Sequence, residues 1–249
     1  MSIELAGVRK AFGSRVILNG ISLNVRDGET LAVIGYSGSG KSVMLKTIVR
    51  LLEPEAGTVT VDGQDVATLR RRDLFAMRQR VGYVFQFAAL FDSMTVFDNV
   101  AMGLRRAGMR EADVAERVAG SLHLVEMDGY EGRLPAELSG GQRKRVGLAR
   151  AIATRPKYVL YDEPTTGLDP VTTAVIDGLI LKMARELGVT SVVVTHDMKS
   201  AYRVADRVAM LYEGDIRFVG TPAEIQNVED PVVRGFIEGI PELAQEAGT

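Results

Sequence analysis

A glycine-rich turn that follows a short apolar run is the feature that most constrains the fold of this chain. Residues 30–34 form a compact apolar run, as expected of a buried parallel strand. The next eight residues match the pattern G-x-x-x-x-G-K-[ST], and residues 41–52 have helical spacing until Glu53 and Pro54 stop it. Strand, glycine-rich turn and helix in this order predict an α/β core around a phosphate-binding loop.

This loop has the chemistry to bind a nucleotide. Glycines let the backbone N–H groups wrap around phosphates, and the dipole of the following helix adds a favourable potential. We expect Lys41 to neutralise β- and γ-phosphate oxygens and Ser42 to place its hydroxyl on Mg²⁺. The alternative is a glycine-rich turn with a purely structural role. The residues predicted to contact the nucleotide here are Gly35, Tyr36, Ser37, Gly38, Ser39, Gly40, Lys41, Ser42 and Val43.

Two adjacent acids end a second apolar run, residues 158–161. Ligand sites of α/β proteins lie at the carboxyl ends of parallel strands, and a buried strand has no structural need for paired acids there. We therefore expect Asp162 to hold Mg²⁺ through a water molecule and Glu163 to orient and deprotonate the attacking water. The alternative is that both acids only cap a turn at Pro164.

The chain has two histidines, and their positions differ. His196 follows the apolar strand 192–195, so it emerges at the same kind of strand end as Glu163 and can report on a γ-phosphate. His123 lies within a helical run and is interpreted as structural or surface-exposed. With two histidines and no cysteine, a zinc site is not expected.

The charge and hydropathy of the 249 residues exclude several classes of protein. Lys and Arg total 30 against 32 Asp and Glu, so no overall positive field favours nucleic acid. The basic runs 70–72 and 143–145 are interpreted as solvated helix faces. No run approaches the ~18 apolar residues of a spanning helix, and the N-terminus lacks the apolar region of a signal peptide. We expect a soluble, cytosolic protein whose membrane role requires another chain.

The order of patterns predicts one domain with an insertion. Short strands fill the first thirty residues, residues 57–66 form a hairpin around Asp62 and Gly63, and residues 80–86 form a strand. Residues 87–153 are almost wholly helical in pattern, and the alternation resumes with a helix at 170–187 and a strand at 191–195. The predicted parts are a core (about 1–86 and 154–220), a helical subdomain (about 87–153) and a C-terminal extension (about 221–249).

The most specific signal is a five-residue segment before a helix. Ser139, with Gln142 three positions on, is a capping box that opens a helix over residues 140–153. The free N–H groups and partial positive charge of that helix start suit a γ-phosphate, although a box that only caps the helix is the alternative. The segment is Leu138, Ser139, Gly140, Gly141 and Gln142.

Together with the Lys41 loop and Asp162-Glu163, this segment resembles the ATP-binding cassette (ABC) family across essentially the whole chain. The resemblance implies a RecA-like P-loop core with an N-terminal antiparallel β part and an inserted helical subdomain. It also implies ATP and Mg²⁺ as cofactors, and a head-to-tail pair in which each phosphate loop faces the Ser139–Gln142 segment of a second copy. By position, Phe12 matches the aromatic residue that stacks on adenine, and Gln86 matches the glutamine that reaches Mg²⁺ and water. Asp169 matches the loop at the dimer interface, and His196 matches the switch histidine. Tyr36 departs from the small residues or proline frequent at its position, and we expect its ring to face solvent.

Residues 85–100 and 230–241 are similar to the ATPases of Mla/Mce-type lipid transport systems, a branch of the same family. This resemblance implies a separate membrane permease that docks near residues 86–100, further substrate-binding or accessory subunits, and a place on the cytoplasmic face of the inner membrane. Phospholipid is the cargo it favours.

Three alternatives remain at this stage. The first is the ATPase of another importer, for a polar amino acid or an anion, because such proteins share every catalytic element. The second is a non-transport cassette acting on ribosomes or chromosomes, which the absence of a tandem cassette and of heptad arms disfavours. The third is a binding-only regulator, which has little use for Glu163, Gln86 and His196.

Overall fold

The computed structural model describes residues 2–240, which form two units. The first unit comprises the residues up to Arg70 and those from Val192 onward, and the second comprises Arg71–Ser191. Within residues 2–240, no helix combines the length and the apolar character that crossing a bilayer requires. In chain order the elements are β1 (Ile3–Phe12), β2 (Arg15–Val25), β3 (Thr30–Ile34), α1 (Lys41–Ile48), β4 (Ala56–Val61), β5 (Gln64–Asp65), α2 (Arg71–Gln79), β6 (Val81–Val84), α3 (Val96–Arg106), α4 (Glu111–Leu124), α5 (Gly140–Ile152), β7 (Tyr158–Asp162), α6 (Pro170–Leu187), β8 (Thr190–Thr195), α7 (Met198–Val204), β9 (Arg207–Tyr212), β10 (Asp215–Gly220), α8 (Pro222–Gln226) and α9 (Pro231–Glu238).

An antiparallel sheet of order β2-β1-β4-β5 forms the N-terminal part of the first unit. Its strands alternate in burial, with Ile3, Leu5 and Val8 of β1 turned inward. The predicted hairpin is present, because Asp62 and Gly63 both have positive φ (51° and 75°) and join β4 to β5.

The phosphate-loop strand lies in the second group of strands of the first unit. Every residue of β3 is buried; β3 pairs in parallel with β9, and β10 is antiparallel to β9. Helices α7, α8 and α9 pack against these strands, and Val232 and Val233 of α9 are fully buried. The C-terminal segment up to residue 240 therefore contributes to the core of this unit. The prediction for residues 241–249 lies outside the described residues.

In the second unit, β6 and β7 pair in parallel, from Val81 opposite Tyr158 to Val84 opposite Tyr161. Helix α5 packs against α3, α4 and β6. It approaches β6 closely because residue 82 is a glycine, where an added Cβ would lie 2.5 Å from the Ala151 carbonyl oxygen. β8 runs from the end of this unit into the first.

Several elements differ from the sequence predictions. Helix α1 ends at Ile48 rather than at residue 52, because Arg50 adopts a left-handed conformation (φ 51°) and donates to the carbonyls of Val66 and Leu69. Residues 87–95 contain no helix, although their pattern had been interpreted as helical. Helix α2 and strands β9 and β10 were not predicted.

Candidate functional site

Three glycines shape the phosphate loop of the first unit. Gly35, Gly38 and Gly40 all have positive φ (152°, 80° and 107°). A side chain at Gly35 would overlap the carbonyl oxygen of Leu211, and one at Gly40 would lie 2.9 Å from Leu18. Glycine is therefore required at positions 35 and 40 both for backbone conformation and for space.

Lys41 crosses the inside of this loop. Its side chain is buried, and its ammonium group donates to the carbonyl oxygens of Gly35 (2.7 Å) and Tyr36 (3.0 Å). The hydroxyl of Ser39 is buried without a hydrogen-bond partner among the described residues. A buried hydroxyl of this kind and a lysine inside a glycine cradle suit a ligand that is rich in oxygen acceptors, as a nucleotide phosphate is.

Helix α1 starts without a side-chain cap. Gly40 occupies the N-cap position and supplies no side chain, so the first N–H groups of the helix have no capping side chain. Ser42 and Val43 lie in this first turn. Such a helix start offers backbone donors and a partial positive charge to an anion.

Tyr36 lies at an exposed position, as predicted, but its ring also packs against two other aromatic rings. Its ring is 36% exposed and makes edge contacts with Phe236 (centroids 4.8 Å apart) and Tyr212 (6.0 Å). Burial and the neighbouring Tyr212 raise the pKa of Tyr36. The C-terminal helix α9, which carries Phe236, thus packs directly against the phosphate loop.

Phe12 and His196 occupy exposed positions of the first unit. Phe12 ends β1 with half of its surface accessible, and the ammonium of Lys10 lies 5.3 Å from the ring centre. An exposed ring with a cation nearby is suited to stack on a base. His196 is exposed directly after β8, where Asp197 begins α7 as its N-cap. His123 lies on the surface and contacts Asp128, in accord with its predicted place.

In the second unit, both acids of the predicted pair are buried at the end of β7. The hydroxyl of Tyr83 donates to Asp162 at 3.1 Å, and burial together with the Asp162 charge raises the pKa of Tyr83 far above its ordinary value. Tyr83 therefore stays a hydrogen-bond donor and holds one carboxylate oxygen of Asp162 in place.

Glu163 has an unusual backbone. Its φ is 50°, a left-handed conformation that costs a non-glycine residue roughly 1–3 kcal/mol. The hydroxyl of Thr166 donates to its carboxylate at 3.0 Å. Such strain concentrates at functional positions, and here it turns the chain directly after the buried strand.

Lys144 is a residue that the sequence analysis missed. The run 143–145 had been interpreted as solvated, but Lys144 is 7% exposed and donates to the backbone carbonyls of Gln86 and Glu163. Burial lowers the pKa of Lys144, and the Glu163 charge opposes this shift. Helical periodicity was the available signal, because Lys144 lies on the same face of α5 as the buried Leu148 and Ala151. The other run, 70–72, is exposed as predicted.

The predicted capping box is present at the start of α5. The hydroxyl of Ser139 accepts from the Gln142 amide (3.2 Å), and the Gln142 side chain accepts from the Ser139 amide (2.9 Å). The amide group of Gln142 also donates to the hydroxyl of Tyr130 at 3.0 Å. Both box residues are thus oriented in this structure.

Asp169 lies beside this segment. It caps α6 by accepting hydrogen bonds from the backbone amides of Val171 and Thr172. The pKa of Asp169 is lowered, most of all by the hydrogen bond from the Thr172 hydroxyl and then by the backbone amide bonds. An added Cβ at Gly141 would lie 2.7 Å from Thr172, so this glycine permits close contact between α5 and α6. Residues 139–142 and 167–169 line one cavity of about 460 Å³. The second unit therefore brings together two segments that were predicted separately to face a second copy.

Exposed aromatic rings mark the segment around Gln86. Phe85, Phe87 and Phe91 are 37%, 82% and 50% exposed. The buried Asn99 shapes the following loop, since its amide group donates to the carbonyls of Phe91, Met94 and Thr95. Three accessible phenylalanines in one short segment are suited to contact another protein.

The described residues contain no group of three or more acidic or histidine side chains that could hold a metal ion by itself. Magnesium is commonly bound by one or two carboxylates together with substrate phosphates and water. The hydroxyl of Ser42 and the carboxylate of Asp162 are donors of the type that such an ion takes.

Comparison with known proteins gave a family, several relatives and solved structures of the same fold. The family model described as ABC transporter matches residues 18–166. A sulfate/thiosulfate import ATP-binding protein, CysA 1 of Chromobacterium violaceum, is 46% identical over 90% of this chain and 63% of its own length. A methionine import ATP-binding protein, MetN of Caulobacter vibrioides, is 47% identical over 86% of this chain and 65% of its own length. A probable ribonucleotide transport ATP-binding protein, mkl of Mycobacterium leprae, is 39% identical over 96% of this chain and 69% of its own length. The chain thus spans about two thirds of the length of these relatives.

The dimeric post-hydrolysis structure of the ATP-binding cassette MJ0796, bound to ADP and Pi, aligns with a TM-score of 0.80 and 34% identity over 88% of this chain and 98% of that one. The structure of cbiO1 from Clostridium perfringens, part of an ABC transporter complex, aligns with a TM-score of 0.84 and 27% identity over 99% and 98%. The fold is therefore that of an ABC nucleotide-binding domain.

Proposed function

The chain belongs to the ABC transporter family, and we propose that it is the ATP-hydrolysing subunit that energises an importer through a separate membrane permease. ABC cassettes bind ATP and are ATPases, and the relatives named above include import proteins for sulfate and methionine. Under this proposal the chain is one nucleotide-binding domain, with residues 87–153 as its helical part and residues 221–249 as its extension. It lies at the cytoplasmic face of the inner membrane.

In this proposal the phosphate loop binds the phosphates of ATP. Lys41 exchanges its bonds to the Gly35 and Tyr36 carbonyls for phosphate oxygens, and Ser39 offers its buried hydroxyl. Gly38, whose surroundings leave open space, and the uncapped start of α1 provide the backbone donors. Phe12 stacks on the base. When bound, Mg²⁺ neutralises charge on the phosphates, and Ser42, Gln86 and Asp162 are the residues that would hold it.

Hydrolysis is assigned to the end of β7. Glu163 accepts a proton from water as the water oxygen attacks the γ-phosphorus, and the bond to the ADP oxygen breaks. His196 contacts the γ-phosphate and responds to its loss. The buried carboxylate of Glu163, held by Thr166 on a strained backbone, is the single observation that carries this assignment.

The second copy completes the site in this proposal. The solved cassette MJ0796 is a dimer, and residues 139–142 lie at a cavity with Asp169 in the second unit. The hydroxyl of Ser139 in one copy, which accepts from the Gln142 amide, donates its own proton to a γ-phosphate oxygen bound by the other copy. The exposed phenylalanines at 85, 87 and 91 form the permease contact near residues 86–100.

The Glu163→Gln variant tests the catalytic assignment. We expect turnover of ATP to fall roughly 100-fold or more, because the amide cannot accept the proton, while ATP binding persists. Turnover is measured by phosphate release from the full chain, with Glu116→Gln on the exposed face of α4 as the control. A Glu163→Gln protein with the wild-type rate contradicts the assigned role.

Two candidate functions differ in the cargo that is transported. The named import relatives favour a small polar solute or anion, whereas the sequence resemblance of residues 85–100 favours phospholipid. We expect the complex with its co-expressed permease to show ATPase activity stimulated by a polar solute, and mass spectrometry of co-purified molecules to find no stoichiometric lipid. Stoichiometric phospholipid without solute stimulation would instead support lipid transport.

A further inference from the structure

Two cationic side chains of helix α5, Lys144 and Arg150, each bond to two backbone carbonyls outside the helix. Lys144 donates to the carbonyl oxygen of Gln86 and, at 3.4 Å, to that of Glu163. Arg150 donates to the carbonyls of Ala88 and Ala89, both at 2.6 Å. Four carbonyl groups from two separate segments of the second unit are thus held by one helix.

Three of these four carbonyls belong to residues in a left-handed conformation. The φ angles of Ala88, Ala89 and Glu163 are 59°, 47° and 50°. Side-chain donors on their carbonyl oxygens hold peptide orientations that these residue types rarely adopt. Helix α5 lies directly beside this segment, since an added Cβ at Gly147 would be in ordinary van der Waals contact, at 3.4 Å, with the Cβ of Ala88.

We propose that Lys144 and Arg150 clamp residues 86–89 to helix α5, and that Lys144 is a positioning residue that sets Gln86 and Glu163 at a fixed separation for hydrolysis. Its ammonium group donates to the carbonyl oxygens of both residues, so it acts through the backbone of two residues that are proposed to take part in hydrolysis. Because the exposed Phe85 and Phe87 flank Gln86, a force on these rings must either move α5 or break the clamp.

This inference rests on the roles proposed for Glu163 and Gln86. If Glu163→Gln keeps wild-type turnover, the proposed function fails. If Glu163→Gln is inactive while Lys144→Met turns over as wild type, only the clamp fails. The two failures are therefore distinguishable.

Lys144→Met is the first test, because methionine keeps the length of the side chain and removes its donors. We expect kcat for ATP to fall roughly 10-fold to 100-fold with KM changed less than about twofold, since misplacement of a catalytic group affects the chemical step. Lys144→Arg, which keeps charge and donors, should recover part of kcat. Lys182→Met is the matched control, because Lys182 also donates to a backbone carbonyl, that of Leu124.

Hydrogen exchange followed by mass spectrometry gives a second readout. In Lys144→Met and in Arg150→Leu, peptides covering residues 85–92 should exchange faster, because the amides of Ala88 and Ala89 bond within this segment. Peptides of α4 should not change. If Lys144→Met does not fold, Arg150→Leu provides the same comparison of kcat and exchange. Wild-type kcat and exchange in a folded variant, or an equal loss in Lys182→Met, would overturn the proposal.

Discussion

The phosphate loop and the segment around Gln86 both use left-handed backbone, but they obtain it in different ways. Positions 35, 38 and 40 are glycines, for which positive φ carries no Cβ penalty. Positions 88, 89 and 163 are alanine and glutamate, and their carbonyls are held by Lys144 and Arg150. In the loop, residue type removes the strain. In the second unit, side-chain hydrogen bonds to the carbonyl groups stabilise the strained backbone, and those bonds can be broken and remade.

We expect the largest difference, in both unfolding free energy and ATP binding, between alanine substitutions at two glycines of the loop. Gly35→Ala places a methyl group against the Leu211 carbonyl, so we expect a loss of roughly 3 kcal/mol or more in unfolding free energy and loss of ATP binding. Gly38→Ala meets no atom within 4 Å and should cost only about 1 kcal/mol. Urea unfolding and calorimetric ATP titration measure both quantities. Equal effects at the two positions would show that backbone conformation alone, and not space, requires the glycines.

A smaller effect of opposite sign should appear at Ala89. Glycine relieves the left-handed strain, which stabilises the folded state by about 1–2 kcal/mol. It also raises the entropy of the unfolded chain, which costs about 0.5–1 kcal/mol of folding free energy. We expect Ala89→Gly to increase the unfolding free energy by up to about 1 kcal/mol while keeping the bond from Arg150. Ala115→Gly, at an exposed position of α4, should decrease it by about 1 kcal/mol. Equal losses from both substitutions, measured by urea unfolding, would rule out strain as the difference between the two regions.

Features that depend on near neighbours in the chain could be predicted from the sequence. The phosphate-loop strand, the capping box of Ser139 and Gln142, and the helix Pro170–Leu187 are all present as predicted. Each depends on residues within a few positions of one another, where turn and capping chemistry decide the structure.

Features that depend on distant parts of the chain could not be predicted. Lys144 bonds to a carbonyl more than fifty residues away, and its charge made a solvated position the simplest interpretation. The ring of Tyr36 meets Phe236 near the other end of the chain. The left-handed turn at Arg50 depends on carbonyl groups of Val66 and Leu69, which no local pattern reveals.

The aromatic contact of Tyr36 has a spectroscopic consequence. The sequence contains no tryptophan, so its seven tyrosines dominate the ultraviolet emission of the protein. One of them lies in the phosphate loop itself and is packed edge-on against Phe236 and Tyr212. The chain thus carries an intrinsic fluorophore in the loop assigned to ATP, in contact with the helix that ends its described part.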